Sequence, residues 1–407
     1  MERFPVRKVT GYRGNFWEHW TNREVHLHSG LPQSNIMGLK EDLNDVRKQL
    51  KTNASQLDID HLRKIEGWIK ACGILGIGTA WIFPNPVSIL LLSQYKFGSW
   101  TMLAHHILHK GYDTIPGVPH RYTSKGFARG FRRYLDWLDW IWPTAWVHEH
   151  NHLHHAHLGE TADPDLVERN IDWLRKKTWH PYLKMGLVVV MALTWKFVYY
   201  AGNTLRTWLE RRYPEKNIPS YGSLAFWNPF SFAGSHLWLH CLLPYVLVNF
   251  IALPALFLFI STKAAIFVLI NLLLAEMITN LHSFAVIVTN HTGDDIYRYD
   301  NSINSKEEFY FRQIAGSVNY PTGSDFSDFK HGFLNYQIEH HLWPDLTMLQ
   351  YKKAQPMVQA IAEQYGIPYT QQSVPKRVMK TVQIMCGLKD MPVYQQAPLS
   401  NAAVQTT

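Results

Sequence analysis

The feature that most limits what this chain can fold into is a set of five apolar windows almost free of charge, at about 69–83, 86–104, 184–202, 237–260 and 264–289. A bilayer core of about 30 Å takes roughly 20 helical residues at 1.5 Å each. The first two windows are short but span with their flanks, and Pro84-Asn85-Pro86 makes the turn between them. The fourth and fifth, joined by Ser261-Thr262-Lys263, read as a second hairpin, with Pro244 and Pro254 kinking the fourth. The third contains Lys184, Lys196, Trp195, Tyr199 and Tyr200, a mixture suited to the membrane interface. A mean hydropathy of −0.19 hides this partition.

Loop charge orients the windows. Lys110, Arg121, Lys125, Arg129, Arg132 and Arg133 lie in one loop and Arg169, Arg175, Lys176 and Lys177 in the next, whereas the far-side turns carry only Lys263. The positive-inside bias puts the basic face in the cytosol. Two hairpins return every long segment there, so parity places the third window in the interface or as a partial insertion. The expected fold is an all-α integral membrane protein: two transmembrane hairpins (about four spans), interfacial helices and a cytosolic histidine-rich metal-binding cap, with both termini cytosolic. Residues 1–68 read as a cytosolic arm, irregular to about residue 35. Beyond that, Leu39, Leu43, Val46 and Leu50 follow helical spacing, and Leu57, Ile59, Leu62 and Ile65 do so less cleanly. Residues 69–392 read as the membrane domain and 393–407 as a disordered tail. No signal peptide is visible in the first thirty residues.

Composition removes other classes. Three cysteines, Cys72, Cys241 and Cys386, cannot make a disulfide scaffold. An aromatic content of 14% excludes disorder. A net charge of +8, placed between apolar segments, points to an anionic membrane surface and not to nucleic acid.

The 22 histidines are clustered. His105 and His109, in AHHILHK, are four apart, which puts both rings on one helix face. WVHEHNHLHHAHLGE holds His148, His150, His152, His154, His155 and His157, and His150 and His154 repeat the four-residue spacing. NYQIEHHLWP supplies Gln337, His340 and His341. Parity puts the three clusters on one membrane face, where they can converge. His105, His109, His150, His154, His155, His340 and His341 exceed the three or four ligands of a zinc site and suit a dinuclear one. Imidazole serves iron, copper, nickel and zinc alike, so ligand type does not choose the metal. A metal-buffering tract, a transporter and a metal-dependent hydrolase are the competing classes. A transporter would carry its ionisable groups within the spans, not at their cytosolic ends.

With its HxxxH box after a hairpin, its HNxxHH box about forty residues on, a long two-span insert and a QIEHH box, the chain resembles the membrane fatty acid desaturase family over about 70–392. LNYQIEHHLWP is most similar to the front-end acyl desaturases. The resemblance implies a di-iron centre, O2 as co-substrate, and removal of two hydrogens from a long-chain acyl substrate to give a cis double bond. It carries over His105 and His109 to the first box, His150, His154 and His155 to the second, and His340 and His341 to the third, with Gln337 at the substituted position. The family often adds a ligand after the last span. His291, in VTNHTGDD, is best placed for it, with His282 the runner-up. There are departures. No HPGG haem signature is present, so electrons are expected from a separate donor such as cytochrome b5 or ferredoxin. His106 stands where the family often has Asp, and His148, His152 and His157 are surplus. EHNHLHHAH followed by Asp163-Pro164-Asp165 is also similar to membrane alkane hydroxylases, which keeps hydroxylation, ketolation and terminal-alkene formation as the alternative reactions.

Breaking an unactivated C–H bond needs a redox metal. Asp163, Asp165, Asp294 and Asp295 lie near the expected ligands and are candidates to accept an imidazole N–H and fix its tautomer. Gln337 is a candidate to orient a water. Trp137, Trp140, Trp142, Trp146 and Phe333 are candidates for the wall of an apolar acyl tunnel. Arg132, Arg133, Lys176 and Lys177 are candidates to hold an anionic head group, whether the carrier is acyl-CoA, acyl-carrier protein or acyl lipid, or to meet membrane lipid. The amphipathic stretch 345–390 is expected to cap the metal site or lie on the membrane.

Overall fold

A computed structural model describes residues 36–394. The expected irregular arm and residues 395–407 of the expected tail lie outside the described residues. Helix Leu39–Thr52 buries Leu39, Leu43, Val46 and Leu50 along one stripe, which packs on helix Met348–Gln364. The next helix, Gln56–Ala80, starts where the Ser55 N–H donates to Asp58 Oδ2 at 3.0 Å. At the turn, Asn85 accepts from the Ser88 N–H at 2.8 Å and Pro86 takes the first helical position, where its missing N–H costs nothing. The chain then returns as a helix over 86–108 that is π-helical at Ser99–Ala104 and α-helical again at His105–Leu108. The two helices pack along their length.

The second hairpin is Phe232–Phe259 and Thr262–His291, with Ser261 Oγ accepting the Ala264 N–H at 3.1 Å. Pro244 and Pro254 each follow a π-helical stretch, so the helix widens instead of breaking. Asn271 ties the hairpins together at their turns: its Oδ1 accepts the Asn85 N–H at 3.0 Å and its Nδ2 donates to the Ala80 carbonyl at 2.9 Å. Further along, Lys96 meets Glu276 at 2.8 Å, and Trp140 Nε1 donates to the other Glu276 oxygen at 2.7 Å. Lys196 meets Asp139 at 2.6 Å, both side chains out of solvent.

Among the described residues, three helices are long and apolar enough to cross a membrane: Pro181–Arg212, Phe232–Phe259 and Thr262–His291. Of the two hairpins expected to make four spans, the second is in this set and the first is not. Lys64, Glu66 and Lys70, and then Ser88, Ser93 and Lys96, dilute the first hairpin. The third window, expected in the interface or as a partial insertion, is part of a continuous 32-residue helix. Both ends of that helix nevertheless touch histidine-bearing or cap segments. Lys184 Nζ donates to the Arg175 and Cys386 carbonyls at 2.9 and 3.0 Å, and Arg211 Nη1 lies 3.0 Å from His148 Nδ1.

The remainder forms a polar-rimmed layer over the helix ends. It contains helices Lys306–Ala315, Gln337–Leu342, Met348–Gln364 and Val374–Met385. A two-stranded parallel ladder pairs Val318 with Thr370 and Asn319 with Gln371. Arg377, fully buried, locks the last helix on: it meets Asp295 at 2.6 Å and donates to the Thr292 carbonyl at 2.6 Å. Val393, placed in the tail by the sequence reading, bridges to Arg298, and Tyr394 packs on Phe311.

Candidate metal centre

All three histidine clusters and His291 meet at one place. Imidazole nitrogens of His105, His109, His150, His155 and His340 form one group and those of His154, His291 and His341 a second, with ligand atoms in each within 4.8 Å of one another. The groups abut. The His155 and His341 rings stack at 4.3 Å, and the His105 and His340 centroids are 4.4 Å apart. His105 Nε2 and His150 Nε2 face each other at 3.0 Å.

Local backbone explains the division. His105 and His109 sit one α-turn apart, the His109 N–H bonding the His105 carbonyl, and fall in the same group as expected. The second box is π-helical over Glu149–His154, and the His155 N–H bonds the carbonyl of His150, five residues back. The wider turn puts His150 and His155 in one group and swings His154 into the other, so the four-residue pairing expected for His150 and His154 is replaced by a five-residue one. His282 stays out: it stacks on Phe97 at 4.0 Å and bonds the Lys330 carbonyl.

The outer ring nitrogens are held. His154 Nδ1 meets Asp163 Oδ1 at 3.0 Å, His341 Nδ1 meets Gln313 Oε1 at 3.1 Å, His340 Nδ1 meets the Tyr351 hydroxyl at 3.2 Å, and His291 Nδ1 meets the Gly316 carbonyl at 3.1 Å. With an acceptor at Nδ1, each ring turns its Nε2 lone pair inward. The Nε2 atoms of His109, His155, His340 and His341 are buried with no hydrogen-bond partner among the described residues. Burial, reinforced by neighbouring histidines, drives His109, His150, His155, His340 and His341 well below the ordinary imidazole range, so they are neutral donors. Burial works against charge at His154 too, but Asp163 outweighs it and raises that pKa. Eight imidazole donors in two adjoining groups, all buried except half-buried His291, fit two metal ions of the imidazole-binding type.

The other expected residues divide. Asp163 is beside its histidine. Asp165 instead accepts from the Tyr199 hydroxyl at 3.2 Å and lies near buried Glu149 and His150. Gln337 Nε2 is 2.9 Å from His291 Nε2. Asp294 does not reach the cluster: Lys389 and Lys380 take its carboxylate, while Asp295 belongs to Arg377 and Lys380. Gln313 and Tyr351 escaped the sequence reading because nothing local marks them; they reach the site only through packing. The Glu of QIEHH points to the ladder, where Glu339 accepts from Asn319 and Tyr369 at 2.9 and 2.7 Å.

A cavity of about 380 Å³ leads away from His105, His150, His154 and His291. Its wall is largely apolar, from Trp100, Trp195, Tyr200, Phe284, Ile287 and Trp146. Of the five expected wall residues only Trp146 lines it. Trp137 packs behind Trp146, Trp140 binds Glu276, Trp142 stacks on His240 and Phe333 meets His61. Of the expected head-group residues, Arg132 and Lys176 pair with Asp136 and Asp172, and buried Arg133 donates to the Asp139 carbonyl.

Residues 79–373 match the family model described as fatty acid desaturase. The chain belongs to the fatty acid desaturase family. Its activity class is therefore that of an oxidoreductase acting on fatty acyl chains. This family member is 22% identical to the NADPH-dependent stearoyl-CoA 9-desaturase of Mycobacterium tuberculosis, over 85% of this chain and 78% of that one. It is 23% identical to Delta(8)-fatty-acid desaturase 1 of Arabidopsis thaliana, over 67% of this chain and 48% of that one. It is 25% identical to the Acyl-lipid (7-3)-desaturase of Diacronema lutheri, over 69% and 59%. No solved structure matches.

Proposed function

We propose that the protein is an O2-dependent di-iron acyl desaturase that introduces a cis double bond into a long-chain acyl group, taking electrons from a separate donor protein. The observation that carries this is the convergence of eight neutral or carboxylate-backed histidines at one end of an apolar cavity. Iron bound there would supply the redox capacity for cleaving an unactivated C–H bond, which no acid–base side chain has. His105, His109, His150, His155 and His340 would hold one ion and His154, His291 and His341 the other, with Gln337 beside the second. Asp163, Gln313 and Tyr351 keep their histidines aimed inward. Trp100, Trp195 and Phe284 exclude water and confine a methylene chain beside the donors. Three relatives named for stearoyl-CoA, fatty acid and acyl-lipid desaturation support an acyl substrate.

The same reading makes 69–392 one membrane unit with four spans, the two hairpins, and leaves the Pro181–Arg212 helix in the interface. The contacts at both of its ends favour this. The histidine cap and both termini then face the cytosol. Gas chromatography–mass spectrometry of acyl lipids from cells expressing the protein, beside His154→Ala, tests the function. A new double bond only with the unaltered protein supports it. A hydroxylated chain or terminal alkene instead would replace desaturation with the alternative oxidase reaction.

A further inference from the structure

The second histidine box has two sides. A two-residue offset turns side chains to nearly opposite faces of a helix, so His148 and His152 point away from His150 and His154. The outer pair lie 6.2 Å apart, centroid to centroid, and the inner pair 5.2 Å. The outer face is basic. His148 Nδ1 is 3.0 Å from Arg211 Nη1, and Arg211 and Lys110 both bear electrostatically on His152. His152, Lys110, Arg211 and Arg212 are exposed. Val147, His148, His152, Trp208, Arg211 and Arg212 line a depression of about 300 Å³, so apolar side chains stand beside two arginines there. Glu149, next to His148, is buried, and Glu210, next to Arg211, is taken by Arg206 at 2.7 Å. The mechanism uses none of these groups.

We infer that this basic face is the docking surface for an acidic one-electron carrier protein. The inference rests on the desaturase reading, because that reaction needs outside electrons: R–CH2–CH2–R′ + O2 + 2 H⁺ + 2 e⁻ → R–CH=CH–R′ + 2 H2O. The acyl chain gives up two hydrogens with two electrons, the carrier gives two more in single steps, and the protons come from water. Electron transfer weakens steeply with distance, so the carrier must dock where the wall is thin. Here one helix, about 10–12 Å across with its side chains, separates surface from ligands. On the His340–His341 side, Met348–Gln364 and Lys306–Ala315 cover the site. Apolar Val147 and Trp208 beside exposed Arg211 and Arg212 offer the mixed contact of a protein interface, and the positive sign of the exposed charges selects an acidic partner by steering its approach.

The test uses the iron-loaded full chain in detergent, with two probes: the soluble domain of cytochrome b5 and a plant-type [2Fe–2S] ferredoxin, each pre-reduced. Binding and the second-order rate of probe oxidation are measured at low and high salt for the unaltered protein, Arg211→Glu/Arg212→Glu, and Lys110→Glu on a separate loop. The expected result is a fall of about tenfold or more in binding and rate for at least one probe, a weaker salt dependence, and unchanged turnover driven by dithionite through methyl viologen. Lys110→Glu carries the test if the double variant does not fold. Unchanged binding and rate in both variants would overturn the inference. So would lost binding to phosphatidylglycerol vesicles with an unchanged probe rate, which would make the face a lipid contact. If the unaltered protein makes no double bond with any reductant, the functional reading fails separately, and probe binding alone still decides the surface.

Discussion

Replacing Asp163 with Asn removes one charge while keeping the shape, and its consequence can be worked from the contacts. Asp163 is 2% exposed. Its Oδ1 faces His154 Nδ1 at 3.0 Å and accepts the Asp165 N–H at 2.9 Å, and its Oδ2 accepts the Gly159 N–H at 3.1 Å. Burial opposes its charge, but His154 and the two backbone N–H groups hold its pKa below the ordinary carboxylate value. An amide has one acceptor oxygen, so either His154 or Gly159 must face an NH2. An unpaired buried donor costs about 1–3 kcal/mol, and loss of a carboxylate behind a ligating histidine typically lowers metal affinity 10–100-fold, which is about 1.4–2.8 kcal/mol. Iron affinity, measured by competition with a chelator at equal folded fraction, should fall by that factor in Asp163→Asn. Asp294→Asn, three residues past His291 but bound to lysines, should bind iron as the unaltered protein does. Equal affinities for Asp163→Asn and the unaltered protein would refute the reasoning.

Asp139→Leu strands the buried Lys196 ammonium and should cost about 3–5 kcal/mol, most of it regained in Asp139→Leu/Lys196→Met, as read by thermal unfolding in detergent; equal melting of single and double variants would contradict it. Trp100→Ala removes a cavity wall that touches Trp195 and Tyr200 at 5.9 and 5.7 Å. It should broaden the range of acyl chains desaturated, seen by mass spectrometry of products, and cost about 3–5 kcal/mol of stability. Gly332→Ala, at φ +67°, would bring a Cβ to 2.5 Å from Thr101 Oγ1 and 2.7 Å from Phe97. It should cost roughly 1–2 kcal/mol for the backbone and about 1–3 for overpacking, with a lower melting temperature as the readout.

The histidines were legible because each box carries its own local signal, and His291 because it comes just after the last apolar window. The division into two groups was not legible. It depends on a π-turn at Glu149–His154, and an α-helical period read from spacing alone pairs His150 with His154. The apolar windows named the hairpins, and Pro84-Asn85-Pro86 fixed the first turn. The 181–212 helix shows the limit of composition: its length and apolarity suit a span, while Lys184 and Arg211 bind cap-side groups at its two ends. The cavity wall was misjudged for a related reason. Tryptophans crowd the stretch 137–146, but of these only Trp146 reaches the cavity, and Trp100, Trp195 and Phe284 of its wall are brought together from three separate helices. Nor does spacing reveal that Gln313 and Tyr351 stand behind His341 and His340.

The most direct test of the proposed dinuclear centre is the iron-to-protein ratio of the protein reconstituted anaerobically with ferrous iron, beside His155→Ala and His291→Ala. The proposal predicts about two irons per chain in the unaltered protein and a clear loss in both variants, because His155 and His291 belong to different groups. A ratio of one, unchanged by His291→Ala, would contradict it.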